Sequence, residues 1–134
     1  MKKEAIFSVL SILFGLCISV VPRLLVCDGC LSMGMRCAIS VKVELVVGLF
    51  IIVLSLLSFC LASYAVKLGV SIALLCFGIF SFLVSTFLIG FCDAACANAM
   101  CECSPFTSII MAIISAFVII NEVIHAVLLC KTTK

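Results

Sequence analysis

Charged side chains are scarce in this chain. Lysine, arginine, aspartate and glutamate make up 10% of its 134 residues, the hydrophobic share is 67%, and the mean hydropathy is +1.58. Water-soluble domains are about one quarter charged and about half apolar, so the composition excludes an ordinary soluble domain. Outside the long apolar runs only short termini and two modest connections remain, which also excludes a soluble catalytic domain. The sequence predicts one integral membrane domain.

Sequence motifs of common enzymes are also missing. The chain has no glycine-rich phosphate loop, no serine, histidine and aspartate set, and no carboxylate pair placed for acid-base catalysis. Its net charge is +2 and it contains no basic run, so nothing indicates nucleic acid as a partner. The partners predicted from composition are the lipid bilayer and another membrane protein.

Four segments are apolar enough to cross a bilayer, which takes about 20 residues. The first segment follows two lysines and resembles a secretory signal, but no convincing cleavage site follows it, so we expect it to be retained. The Ser104-Pro105 pair supplies a cap and a first-turn proline for the last segment. The predicted spans are residues 5–26, 45–66, 68–92 and 105–130.

Basic residues are unequally divided between the two sides of the membrane. Five lie on the side of the termini and three on the other, and the more basic side is usually cytoplasmic. Both termini and a tight turn at Lys67 are therefore predicted on the cytoplasmic side of the cell (inner) membrane, with two connections, residues 27–44 and 93–104, outside. Glu44 would then open the second span, where a carboxylate favours the helix dipole.

Small residues recur every seven positions within each predicted span. Such a stripe lets helix backbones approach closely and predicts a left-handed, antiparallel four-helix transmembrane bundle. Cys17, Cys60 and Cys76 fall off the stripes, which indicates small apolar fillers or lipid-facing side chains. The stripes are Ser8 and Gly15; Gly48, Ser55 and Ala62; Ser71, Gly78 and Ser85; Ser108 and Ser115.

Two ionisable residues lie inside the last span. Glu122 continues the stripe of Ser108 and Ser115, and His125 follows three positions later on the same face. A Glu-x-x-His spacing occurs in di-iron bundles, which need further carboxylates that this chain does not offer at that depth. Interhelical hydrogen bonding or snorkelling is therefore the favoured interpretation, and a proton relay or ligand site is the alternative.

The two outside connections resemble each other. Each follows an odd-numbered span and precedes an even-numbered one, so the chain is predicted to consist of two helix-loop-helix repeats related by a pseudo-twofold axis along the membrane normal, as in parallel transporter repeats. One inserted residue aligns Cys27 with Cys92, Asp28 with Asp93, Cys30 with Cys96 and Cys37 with Cys103.

Three sequence signatures stand out around these repeats: the Cys-to-Cys stretch ending in Met35-Arg36-Cys37, the run Lys42-Val43-Glu44-Leu45 with Gly48, and Phe87-Leu88-Ile89-Gly90-Phe91-Cys92. In these the chain resembles a small four-span membrane family, domain-of-unknown-function family 4418. The resemblance covers almost the whole chain. It implies the four-span architecture and no particular activity.

Seven cysteines gather in or beside the outside connections. On an oxidising surface, disulfides that close each connection are expected, for example Cys27 with Cys37 and Cys92 with Cys103. The pairing stays open, and the odd number leaves at least one thiol unpaired within the chain. The candidates are Cys27, Cys30, Cys37, Cys92, Cys96, Cys101 and Cys103.

Two alternatives remain open for the same connections. Thioethers beside thiolates suit Cu(I), and Cys27-x-x-Cys30 with two cysteines of the other connection could make a zinc site. Cys27 and Cys30 could instead cycle between dithiol and disulfide with a quinone as electron acceptor, similar in layout to membrane thiol oxidases. The candidate copper ligands are Met33, Met35, Cys37, Met100, Cys101 and Cys103.

The small size of the chain favours one function over the redox and metal-binding alternatives. It has no ATPase and no evident polar path through the bundle, and its outer connections are small. The predicted function is therefore non-enzymatic and without a cofactor: a scaffold or accessory subunit of a larger membrane complex, such as a transporter.

Overall fold

A computed structural model of the chain describes residues 2–26, 36–61, 63–88 and 106–132. These ranges contain helices and no strand. Each helix is long and apolar enough to cross a membrane, which confirms an all-helical, multi-pass membrane bundle. The helices are α1 (Lys2–Leu25), α2 (Arg36–Cys60), α3 (Tyr64–Leu83, continued by a π-helical turn, Val84–Leu88) and α4 (Phe106–Thr132).

The helices pack in the cyclic order α1, α2, α3, α4, with the most extensive contacts within the pairs α1/α2 and α3/α4. Adjacent helices are antiparallel, as the ring contacts of Phe7 with His125 and Phe14 with Phe117 show for α1 and α4. The two sequence repeats are therefore two helix pairs. We call the end where α1 stops and α2 starts the loop end, and the end with the chain termini the terminal end.

The small-residue stripes face the interior, as predicted, at their described positions; Ala62 lies outside the described residues. The closest approach joins α1 and α2 at Gly15 and Gly48, where a Cβ atom on Gly48 would lie 2.7 Å from the carbonyl oxygen of Gly15 and 2.9 Å from the amide nitrogen of Ser19. Gly78 packs less closely against α4, where a Cβ atom would lie 3.1 Å from Val118 Cγ1 and 3.2 Å from Ile119 Cγ1, both in side chains. Only a residue without a Cβ atom permits this backbone contact at Gly48.

The interior of the bundle holds many polar groups and its outside is apolar. Large aliphatic and aromatic side chains on all four helices are exposed, while fourteen polar or ionisable residues of the described ranges are buried beside aliphatic ones. Such an arrangement suits a hydrocarbon surrounding, where burying apolar groups brings no gain and polar groups are retained inside the bundle. The buried polar residues are Ser8, Ser11, Ser40, Glu44, Ser55, Ser58, Ser71, Ser81, Ser85, Thr107, Ser115, Asn121, Glu122 and His125.

Two expectations about the helix ends are wrong. The second helix starts at Arg36, so Glu44 lies two turns inside it and is fully buried instead of opening it. The tight turn does not lie at Lys67, because α2 ends at Cys60 and α3 begins at Tyr64. Ser63 is the extended residue before α3, and its carbonyl oxygen accepts from the Lys67 amide at 3.1 Å. Lysine can occupy a first helical turn because its long side chain reaches the interface.

Four of the cysteines within the helices lie on the outer surface of the bundle. Cys17, Cys60 and Cys76 are exposed, and so is Cys130 near the end of α4. Their thiols are free, and the exposure of Cys17, Cys60 and Cys76 agrees with the lipid-facing positions expected for residues off the small-residue stripes.

Candidate functional site

Glu122 lies at the centre of a buried layer near the terminal end of the bundle. Its Oε1 accepts hydrogen bonds from Ser11 Oγ and, at 3.3 Å, from Asn121 Nδ2; its Oε2 accepts from Ser71 Oγ at 2.9 Å. Asn121 Nδ2 also donates to Ser11 Oγ at 2.9 Å. One carboxylate thus joins α1, α3 and α4. We call Ser11, Ser71, Asn121, Glu122 and His125 the terminal-end layer.

His125 completes this layer one turn closer to the terminal end. Its Nδ1 lies 3.7 Å from Glu122 Oε2, and its ring stacks on Phe7 with 5.4 Å between ring centroids. Its Nε2 is buried and has no hydrogen-bond partner. Among the described residues, no group of three or more histidine, cysteine or acidic side chains could hold a metal ion. The geometry fits interhelical bonding by Glu122, with His125 packed beside it.

A second buried layer lies near the loop end and contains the other intramembrane carboxylate. Ser81 Oγ donates to Glu44 Oε2 at 2.7 Å and lies 2.9 Å from Ser115 Oγ. Ser115 also donates to the Met111 carbonyl oxygen at 2.8 Å. Glu44 Oε1 is buried without a hydrogen-bond partner. We call Glu44, Ser81 and Ser115 the loop-end layer; it joins α2, α3 and α4.

The helices around the loop-end layer depart from regular geometry. Pro22 is buried inside α1 and has no amide hydrogen, so the Ile18 carbonyl cannot receive its usual helical hydrogen bond. In α3 the π-helical turn begins three residues after Ser81, and Ser108 Oγ donates to the Ser85 carbonyl oxygen there at 2.7 Å. Single π-helical turns occur frequently at functional sites. The loop-end half therefore exposes more backbone carbonyl groups to side chains than regular helices do.

An apolar layer separates the two polar ones. Ile51, Leu74 and Val118 are buried at this level. Ser115 and Glu122 are seven residues apart on α4, a rise of about 10 Å. The interior is more polar than the sequence suggested, but the hydrogen bonds described for Glu44 and for Glu122 form two separate sets.

An apolar groove runs between α2 and α3 on the outside of the bundle. Its volume is about 380 Å³, within the range of sites for small molecules. Phe50 and Phe77 stack in its wall with 5.6 Å between ring centroids, and Lys42 lines it nearest the loop end. The other lining residues are Val43, Val46, Val47 and Phe80.

The predicted cysteine and methionine sites fall almost wholly outside the described residues. Cys37 is the second residue of α2. The remaining candidates for disulfides, metal ligands and the redox pair lie outside the described ranges: Cys27, Cys30, Met33, Met35, Cys92, Cys96, Met100, Cys101 and Cys103.

The sequence predicted the ionisable residues of the terminal-end layer but not the one in the loop-end layer. The seven-residue stripe placed Glu122 and His125 on the inner face, where both are at least 95% buried. It missed Glu44 and its partner Ser81. The available signal was spacing, since Ser40, Glu44 and Gly48 recur every four residues and so share one helix face with Ser55.

Comparison with protein families gives one match. The family model described as "Domain of unknown function (DUF4418)" matches residues 8–128, which includes all four helices. No curated protein and no solved structure matches the chain. The chain therefore belongs to the family DUF4418.

Proposed function

We propose that this protein is a non-enzymatic scaffold or accessory subunit of a larger membrane complex of the transporter type, acting through its membrane-embedded surface. In this proposal it lies in the cell (inner) membrane with both termini in the cytoplasm. The cysteine-rich connections face outward and are closed by disulfides.

The observation that carries the proposal is how the buried polar groups are used. Glu122 bonds side chains of two other helices, and Glu44 and Ser115 each lie within hydrogen-bonding distance of Ser81. These contacts hold the four helices together, while an apolar layer interrupts the interior. The large apolar side chains on the outside, such as Phe59 and Phe87, remain available to neighbouring helices and lipid.

Photo-crosslinking in native membranes tests this proposal. A photoreactive amino acid at Leu13, Phe59 or Ile113, which are exposed on α1, α2 and α4, should give one dominant adduct with another membrane protein from at least one of these helix faces. The same partner should co-purify in mild detergent. A matched control places the photoreactive group at buried Ile51, where adducts to another chain should be absent.

Two observations together would contradict the accessory-subunit proposal. A protein that purifies as a clean monomer in mild detergent, and that crosslinks only to lipid from every exposed helix face, is not an accessory subunit.

The groove between α2 and α3 favours a second candidate function, a quinone-linked membrane thiol-disulfide oxidoreductase. Its aromatic wall suits the flat ring of a quinone, and Lys42 marks its side towards the loop end, the end at which the predicted redox pair Cys27 and Cys30 follows α1 in the sequence. Two thiols become a disulfide when two electrons and two protons pass to a quinone, giving a quinol. Copper or zinc bound by the connections is the remaining proposal, and it depends on residues outside the described ranges.

Replacement of the four exposed helix cysteines by alanine should leave the bundle intact. Cys17, Cys60, Cys76 and Cys130 face outward, and exposed substitutions usually change stability by less than about 0.5 kcal/mol. In this background a membrane-impermeant thiol reagent, read by mass spectrometry with and without reductant, reports on the seven remaining cysteines. The accessory-subunit proposal predicts that labelling comes from one side of the membrane and, apart from the thiol that the odd number leaves unpaired within the chain, needs reductant.

The same cysteine-to-alanine background distinguishes the redox function from a metal site. The redox function requires that membranes lose thiol oxidation when Cys27 and Cys30 become serine and that a bulky tryptophan at Phe77 in the groove has the same effect. Unchanged oxidation in both variants contradicts it. A metal site would show as stoichiometric copper or zinc that is lost on substituting Cys37 and Cys103.

A further inference from the structure

Only one of the two carboxylate oxygens of Glu44 has a hydrogen-bond partner. Its side chain is fully buried about 12 Å from the start of α2. Ser81 donates to Oε2, whereas Oε1 has no hydrogen-bond partner. Glu122 differs, because both of its oxygens accept hydrogen bonds. A buried polar atom without a partner is costly, and native interiors rarely leave one empty.

The charges around Glu44 do not compensate it. The described basic side chains nearest to the loop end, Arg23 of α1 and Lys42 of α2, are exposed. On α3 and α4 the groups that face the layer are the hydroxyls of Ser81 and Ser115. The acidic, basic and histidine side chains of these two helices, Lys67, Glu122, His125 and Lys131, lie in the terminal-end half. The thiol of Cys76, midway along α3, is exposed on the outside.

The surroundings of Glu44 supply neutral oxygen atoms. The Ser81 hydroxyl bonds the carboxylate directly, and the Ser115 hydroxyl lies within hydrogen-bonding distance of Ser81. Gly48 contacts Ser19, so Glu44, one turn closer to the loop end on α2, is level with the segment of α1 around Pro22. That proline leaves the Ile18 carbonyl without its helical donor. Carboxylate, hydroxyl and carbonyl oxygens are the ligands of small hard cations.

We propose that the loop-end layer is an intramembrane binding site for one monovalent cation, a proton or Na⁺, with Glu44 as its anionic ligand and Ser81 and Ser115 as neutral ligands. One positive charge compensates the carboxylate and occupies Oε1. The cation reaches the site from the loop end, since the apolar layer of Ile51, Leu74 and Val118 closes the other direction. This inference is independent of the accessory-subunit function.

Two measurements on the purified full-length protein in lipid nanodiscs test it. The first follows thermal unfolding in NaCl and in choline chloride at equal ionic strength. The second follows the carboxylic acid band by infrared spectroscopy over a range of pH in choline chloride. Glu44→Gln keeps the size of the side chain and removes its charge. Glu122→Gln is the matched control, because it removes the other buried carboxylate.

A sodium site predicts that Na⁺ raises the unfolding midpoint of the wild type and of Glu122→Gln, and that Glu44→Gln loses the shift. A proton site predicts no Na⁺ shift and a pH-dependent acid band that is present in Glu122→Gln and lost in Glu44→Gln. Ser81→Ala weakens whichever response is found at least several-fold, providing a second variant. The proposal is overturned if neither Na⁺ nor pH changes the wild type, or if every response persists in Glu44→Gln.

Discussion

Replacement of Gly48 by alanine should lower the free energy of unfolding by about 3 kcal/mol, because overpacking a close contact forces backbone shifts. The new methyl group would lie 2.7 Å from the Gly15 carbonyl oxygen and 2.9 Å from the Ser19 amide nitrogen. Both are backbone atoms and cannot rotate away, so α1 and α2 must separate. Equilibrium unfolding in mixed detergent micelles measures the loss.

Gly69 provides the matched control for this substitution. It is exposed within α3, and a Cβ atom there would have nothing within 4 Å. Alanine at this position should leave stability unchanged or raise it by up to about 1 kcal/mol, since glycine is a poor helix former. Equal stability of the Gly48→Ala and Gly69→Ala variants would contradict the close contact between α1 and α2.

Replacement of Glu122 by leucine should cost about 3 kcal/mol of unfolding free energy. The carboxylate accepts from Ser11, Ser71 and Asn121, and an interhelical hydrogen bond within a membrane contributes about 0.6 to 1.7 kcal/mol. Loss of the carboxylate removes the interhelical hydrogen bonds with Ser11 and Ser71, so the larger part of the cost falls on the contacts of α4 with α1 and α3. The same micelle titration measures it.

Two variants with smaller expected costs serve as controls for Glu122→Leu. Glu122→Gln retains an acceptor oxygen and should cost less than Glu122→Leu. Val123→Ala changes an exposed neighbour on the same helix and should stay within about 0.5 kcal/mol of the wild type. If Glu122→Leu is no less stable than Val123→Ala, the terminal-end layer does not hold the helices together.

The helices themselves were predictable from the chain because hydropathy and helical periodicity are local properties. The seven-residue stripes correctly placed Gly15, Gly48 and Glu122 on inner faces. The helix ends were less predictable, as the turn expected at Lys67 shows. A charge near a boundary was taken to mark the boundary, but a lysine in the first turn of a helix can extend to the interface.

The pairing of Glu44 with Ser81 could not be predicted in the same way. The two residues are 37 positions apart and on different helices, so nothing local connects them. An isolated carboxylate is expensive in hydrocarbon, which is why placing Glu44 at a helix start was the reasonable expectation. The cost is offset only by the interior that all four helices create together.

The serines of both layers have a property that the carboxylates lack. Ser11 Oγ lies 3.0 Å from the Phe7 carbonyl oxygen, and Ser115 Oγ lies 2.8 Å from that of Met111, each one turn back on its own helix. A serine in a helix therefore always carries a spare acceptor for its proton. When a neighbour is lost or moves, the hydroxyl rotates to its own backbone instead of being left unbonded. Serines in the interior of the bundle therefore tolerate the loss of a neighbour, and among its polar groups the sensitivity to substitution concentrates at Glu44 and Glu122, for which the backbone offers no such substitute.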